Sequence, residues 1–133
     1  MAQYYHHYSV EVPVGKSISI RFRFGGHQPQ IIHVNRLVPG EVEKLVASRG
    51  QYEPSGDAPL DDTNNTPVQI TYIISAAFKF EPKGDEPWRE HRDPKVEFIA
   101  PDLTRIGFDD YIKKDHYSDG NYTDAVVEVR VLG

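Results

Sequence analysis

Ser17-Ile18-Ser19-Ile20-Arg21-Phe22-Arg23-Phe24 alternates apolar and polar side chains without a break. Successive side chains of an extended strand point to opposite faces, so Ile18, Ile20, Phe22 and Phe24 share one face and Ser19, Arg21 and Arg23 the other. The segment therefore reads as a half-buried strand, with one face in a core and one in water.

Outward from this strand the same period recurs. Val68 to Phe80 carries Ile70, Tyr72 and Ile74 on one face, followed by Phe78 and Phe80 on either side of Lys79. Val96-Glu97-Phe98-Ile99 and the run Ala125 to Leu132 are two further short strands. Ten Pro and ten Gly punctuate these runs, as in a sandwich of short strands joined by turns. The predicted fold is all-β, an antiparallel β-sandwich in a single domain over 1–133, with no detectable repeat or linker. In Pro39 to Gly50, Val42, Leu45 and Val46 stand at helical spacing and Gly50 is a stop signal, so this stretch reads either as one short helix or as an irregular strand. Gln51 to Pro67, rich in Asp, Pro, Asn and Gly, reads as a loop or long turn.

Composition narrows the function classes. With 133 residues the chain is long enough to bury a core. Its net charge of -5 argues against nucleic acid, whose phosphates call for a basic surface. No apolar run approaches the roughly 18 residues of a membrane span, so membrane insertion is not expected. Cys is absent, which excludes disulfides and thiolate metal sites. The start Met1 to Tyr8 lacks a basic region followed by an apolar stretch, so no secretory signal is visible. The chain reads as made in the cytoplasm, with any release or surface association by a route the sequence does not display. No Ser/His/Asp arrangement, paired-carboxylate geometry or Gly-rich phosphate loop is apparent, so the chain is not expected to be an enzyme.

One segment carries metal chemistry. In Asp119-Gly120-Asn121-Tyr122-Thr123-Asp124, a run of oxygen-bearing side chains passes straight into the last strand. Asp119, Asn121, Thr123 and Asp124 are hard oxygen ligands at nearly alternate positions, the type calcium selects at roughly 2.3–2.6 Å. The same residues also suit a solvated acidic turn. An EF-hand is excluded, because counting from Asp119 puts Asp124 where Gly is needed and Arg130 where a bidentate Glu is needed. Elsewhere, His6-His7 without a third ligand and His91 among Glu90, Arg92 and Asp93 read as exposed residues, and Trp88 reads as core packing or a sugar-stacking face. Asn64-Asn65-Thr66 and Asn121-Tyr122-Thr123 match the glycosylation pattern, coincidentally in a chain with no secretory signal.

The C-terminal stretch resembles the soluble bacterial fucose- and mannose-binding lectins, which hold a sugar through two adjacent calcium ions. That family carries Asp-x-Asp-x-Asn-Asp-Ala-Val-Val near its end and finishes on Leu-Gly. Here the residues are Asp119-Gly120-Asn121-Tyr122-Thr123-Asp124-Ala125-Val126-Val127, with Leu132-Gly133 last. The family's Glu-Asp pair after a short apolar strand is matched by Ile106-Gly107-Phe108-Asp109-Asp110, with Asp115 a competing acidic ligand. Val10 to Pro13 followed by Ile18 to Phe24 resembles the first hairpin, and Gly25-Gly26-His27-Gln28 falls on the sugar-contacting loop. The resemblance covers both ends, on the order of a third of the chain, less than a typical domain.

The resemblance implies a lectin for mannose- or fucose-type sugars that binds one or two Ca2+ ions. The implied metal ligands are Asp109, Asp119, Asn121, Thr123 and Asp124, the Gly25 carbonyl, and the terminal carboxylate of Gly133 reaching a neighbouring subunit, which makes a homodimer or larger assembly. The implied sugar contacts are Gly26, His27, Gln28, Asp110 and Asp119. Asn121 and Thr123 stand where the family has Asp and Asn, which keeps oxygen ligands but removes charge and weakens calcium binding. Two other readings fit the same residues: a β-sandwich interaction module with structural calcium, and a degenerate lectin fold without metal.

Overall fold

The computed structural model describes residues 7–25, 30–50, 53–78, 89–90, 94–108 and 125–133. They form two antiparallel sheets. The first contains β1 (His7–Val12), β3 (Gln30–Leu37), β4 (Lys44–Gly50), β6 (Ile70–Phe78) and β7 (Arg89–Glu90), in the order β1-β6-β3-β4, with β7 also on β6. The second contains β2 (Ser17–Phe24), β5 (Leu60–Thr63), β8 (Lys95–Ala100), β9 (Leu103–Phe108) and β10 (Ala125–Leu132), in the order β5-β2-β10-β9-β8. The predicted antiparallel β-sandwich is the fold observed.

Alternation builds the core. Ile18, Ile20 and Phe22 of β2 are buried, and the register sets Val129 opposite Ile20 and Val127 opposite Phe22. Ile106 and Phe108 continue this apolar face onto β9. From the first sheet come Ile70, Tyr72 and Ile74 of β6, Ile32 and Val34 of β3, and Val12 of β1, all at 0% exposure. Each such large apolar side chain contributes roughly 1.5–3 kcal/mol over its exposed state.

Polar side chains also bridge the sheets. The Tyr72 hydroxyl donates to Asp62 Oδ2, and Arg36 Nε lies 3.6 Å from the same oxygen. The Arg49 guanidinium stands 5.6 Å from the centroid of the Phe22 ring. At the foot of the sandwich, Asn64 is 1% exposed and its Nδ2 donates to the carbonyls of Val12, at 2.9 Å, and Val68, at 2.8 Å. Its Oδ1 accepts from the backbone N and the hydroxyl of Thr66. The first of the two glycosylation-like triplets is thus a structural staple, with both amide hydrogens engaged.

Of the two readings of 39–50, the irregular strand is the one observed: Pro39 and Gly40 lie in a turn closed by Glu41 N donating to Val38 O at 2.9 Å, and β4 follows. The helical spacing of Val42, Leu45 and Val46 marks no buried face, because all three are exposed, at 85%, 57% and 37%, whereas Ala47 is buried opposite Val34. A register irregularity between Val34 and Asn35 shifts the pairing and breaks the strand period in this region. The stretch 51–67, expected as loop throughout, contains β5, whose Asp62 points at Tyr72. Among the described residues there is no helix.

Candidate functional site

Three strand ends meet at one end of the second sheet. In β10, Ala125 is opposite both Phe24, the last residue of β2, and Phe108, the last residue of β9. Ala125 and Phe108 are fully buried, as are Val127 and Ile106 one pair further in. The sequence explains the fit, since a methyl side chain between two phenyl rings lets three neighbouring strands stay in register without overpacking. The stretch after Gly25, the stretch after Phe108 and the stretch before Ala125 therefore all spring from one edge of a rigid floor.

That edge is where the sequence-predicted residues are tethered. Asp109 and Asp110 follow Phe108, Asp124 precedes Ala125, and Gly26, His27 and Gln28 follow Gly25. Gly25 itself is exposed at the end of β2. Asp109, Asp110, Asp115, Asp119, Asn121, Thr123, Asp124, Gly26, His27 and Gln28 lie outside the described residues, as do His6, Trp88 and His91. Among the described residues no three His, Cys, Asp or Glu side chains converge on a common point.

Gly133 lies at the other end. Leu132 is opposite Ser17 while Ala125 is opposite Phe24, so the full length of β10 separates Gly133 from Gly25. Eight residues of antiparallel strand span roughly 26 Å. Gly25 and Gly133 of one chain are not brought together. The backbone of Gly133 lies against the Lys16 side chain so closely that a Cβ there would collide with it.

Sequence reasoning did not single out the charged outer face of the second sheet. A cleft of about 500 Å³ opens beside Ser17, Ser19, Asp61, Thr63 and Leu132. Within it Ser17 Oγ and Thr63 Oγ1 are hydrogen-bonded at 2.8 Å. Hydrogen bonds from Ser19 and then from Arg21 hold the Asp61 carboxyl below the usual carboxylate range. Burial, reinforced by the hydrogen bond to Asp62, pushes the Tyr72 hydroxyl up to about 12. The only early signal for this face was the Arg21 and Arg23 side of β2; Asp61 was hidden in a stretch that reads as loop.

No protein-family profile matches the sequence, and no curated protein sequence is significantly similar to it. Among solved structures, the chain is similar to a lectin of Chromobacterium violaceum determined in complex with alpha-methyl-fucoside, at 14% sequence identity over 96% of each chain and a TM-score of 0.46.

Proposed function

We propose that the chain is a calcium-dependent lectin whose sugar site lies at the end of the second sheet formed by Phe24, Phe108 and Ala125. The observation that carries this reading is the shared register of those three residues. Residues 25–28 and the acidic stretch 109–124 are far apart in sequence, yet both are anchored on adjacent strands at the same edge. A shallow, fixed floor with ligating groups on its loops is the usual way a rigid scaffold presents a binding site.

The donor set fits calcium, being carboxylate, amide, hydroxyl and backbone carbonyl oxygens with neither sulfur nor imidazole. Asp109, Asp119, Asn121, Thr123 and Asp124 would hold the metal with the Gly25 carbonyl, and Gly133 would complete the shell from a neighbouring subunit. Calcium, when bound, would supply a hard cation for the hydroxyl oxygens of a sugar. Asp110 and Asp119 would accept hydrogen bonds from those hydroxyls, and bonds to a charged acceptor are the stronger class. Gly26 would bring no side-chain hydroxyl to the ligand, which would favour mannose at least as much as fucose, and His27 and Gln28 would add hydrogen-bond donors.

The ligand set and the specificity are tested separately. Calcium at a hundredfold excess over its dissociation constant stabilises the folded state by about 2.7 kcal/mol, so the melting temperature rises on calcium addition, and Asp124→Ala removes most of the rise. Equal melting of chelated and calcium-loaded protein contradicts the metal assignment. On a glycan array, mannosylated ligands bind at least as well as fucosylated ones, and Gly26→Ser moves the preference toward fucose. An array dominated by fucosylated or galactosylated ligands contradicts the specificity.

A further inference from the structure

Two histidines and a serine stand in one row across the first sheet. In β6, Ser75 is opposite His7 of β1 on one side and His33 of β3 on the other. Directly opposed residues of antiparallel strands share a face of the sheet. That face is the outer one, because Ile32 and Val34 on either side of His33, and Ile74 beside Ser75, are in the core at 0% exposure. Neighbouring strands lie roughly 4.8 Å apart, so the two histidine Cα atoms, with one strand between them, stand on the order of 10 Å apart. Between them is a short side chain that ends in a hydroxyl. From sequence alone His6-His7 lacks a further ligand; the pairing of β1 and β3 with the two sides of β6 brings one into line.

We propose that His7 and His33 together bind a divalent transition-metal ion such as Zn2+ above Ser75, with the serine hydroxyl oxygen as third ligand and water as the fourth. Imidazole nitrogen suits zinc, nickel and copper, whereas calcium takes oxygen ligands. Zinc holds ring nitrogens at roughly 2.0–2.1 Å in a tetrahedral shell, so two rings leaning inward from the flanking strands close over the shorter side chain between them. Both histidines are open to solvent, which gives the ion a path in. Partial burial of the His33 ring pushes its pKa below the ordinary value, against the opposing pull of the Glu53 carboxylate. The ring is therefore neutral near pH 7, and the neutral imidazole is the form that ligates metal. Among the described residues no third His, Cys, Asp or Glu joins the pair, so the site is open and exchangeable and keeps a position for an outside ligand. It lies on the first sheet, uses none of the residues proposed for calcium, and does not depend on the lectin reading.

Zn2+ titrated into the full chain in competition with a chromophoric chelator tests the site, in excess calcium so that oxygen-only sites are already filled. His7→Ala and His33→Ala are each expected to weaken zinc binding about tenfold or more, at least the loss that follows when a mere supporting partner of a metal ligand is removed. Ser75→Asp, which puts a charged oxygen ligand in place of a neutral one, is expected to tighten it about tenfold. His6→Ala leaves the affinity within about threefold of the parent, and the circular dichroism of every variant stays that of the parent. A parent chain that binds no zinc overturns the proposal, as does an affinity lost in His6→Ala but kept in His33→Ala, which would mean chelation by the adjacent pair alone. A Ser75→Asp chain that binds zinc no more tightly than the parent overturns the placement of the ion above Ser75.

Discussion

Tyr72 is fully buried between the sheets, and its hydroxyl ends on Asp62, with Arg36 beside the same oxygen. Its pKa stands at about 12 against 10.0 for the free side chain. Because the folded value is the higher one, the protonated hydroxyl favours the folded state. That stability is fully present below pH 10 and is lost as the pH rises through about 12. The loss is on the order of 2 kcal/mol. Tyr72→Phe is expected to cost roughly 1.5–3 kcal/mol at pH 8, the range for a hydrogen bond to a charged group, and to flatten this part of the alkaline decline in urea unfolding. An unaltered decline between pH 10 and 12 would show that Tyr72 is not its source. At Asn64, truncation to Ala leaves the Val12 and Val68 carbonyls without the amide and is expected to cost roughly 2–4 kcal/mol, read as a lower urea midpoint. The inward direction of Tyr72 was legible from the period of its strand, but its partner was not. Asp62 sits in a polar stretch with no apolar alternation, and only the packing of one sheet on the other brings the two together.

Strands with one wet face were the easiest elements to read. Ser17–Phe24 and Ala125–Leu132 pair with each other along their whole length; the first shows the expected alternation, and the second shows it only from Val127 on, after three consecutive buried residues. Within Gln30–Leu37, Ile31 is 7% exposed and Ile32 0%, so both faces are covered and no alternation marks the strand. β5 is short and mostly polar, and β4 hides its one buried side chain with a Cβ, Ala47, between exposed valine and leucine on one side and Ser48 on the other. Gly50, taken from sequence as a stop, has a further role at the close approach of β4 to β3. A Cβ there would lie 2.4 Å from the Gln30 carbonyl oxygen, and that oxygen belongs to the backbone. Gly50→Ala therefore forces the two strands apart and is expected to cost roughly 1–3 kcal/mol, as overpacking does. A urea midpoint matching the parent would mean that the β3–β4 edge yields freely.

Across the whole molecule, the two ends of the second sheet carry different residues. One end gathers the roots of residues 25–28 and 109–124, and the other holds Gly133 against Lys16, roughly 26 Å away by strand length. On the proposed reading, a Gly133 carboxylate in the calcium shell would come from another subunit. A C-terminal tag is expected to weaken sugar binding and to lower the assembly mass in sedimentation, whereas identical affinity and mass in tagged and untagged protein would contradict subunit exchange. The sequence supplied the proposed ligand chemistry as an expectation, because Asp, Asn and Thr oxygens cluster within residues 119–124, which lie outside the described residues. What strand periodicity alone could not supply was that Phe24, Phe108 and Ala125 end side by side, since this depends on β2, β10 and β9 being neighbours. Calorimetric titration of methyl mannoside into the untagged protein, in calcium and then in chelator, tests calcium-bridged sugar binding most directly. Saturable binding in calcium that vanishes in chelator is the expected result; equal binding in both, or none in calcium, would contradict it.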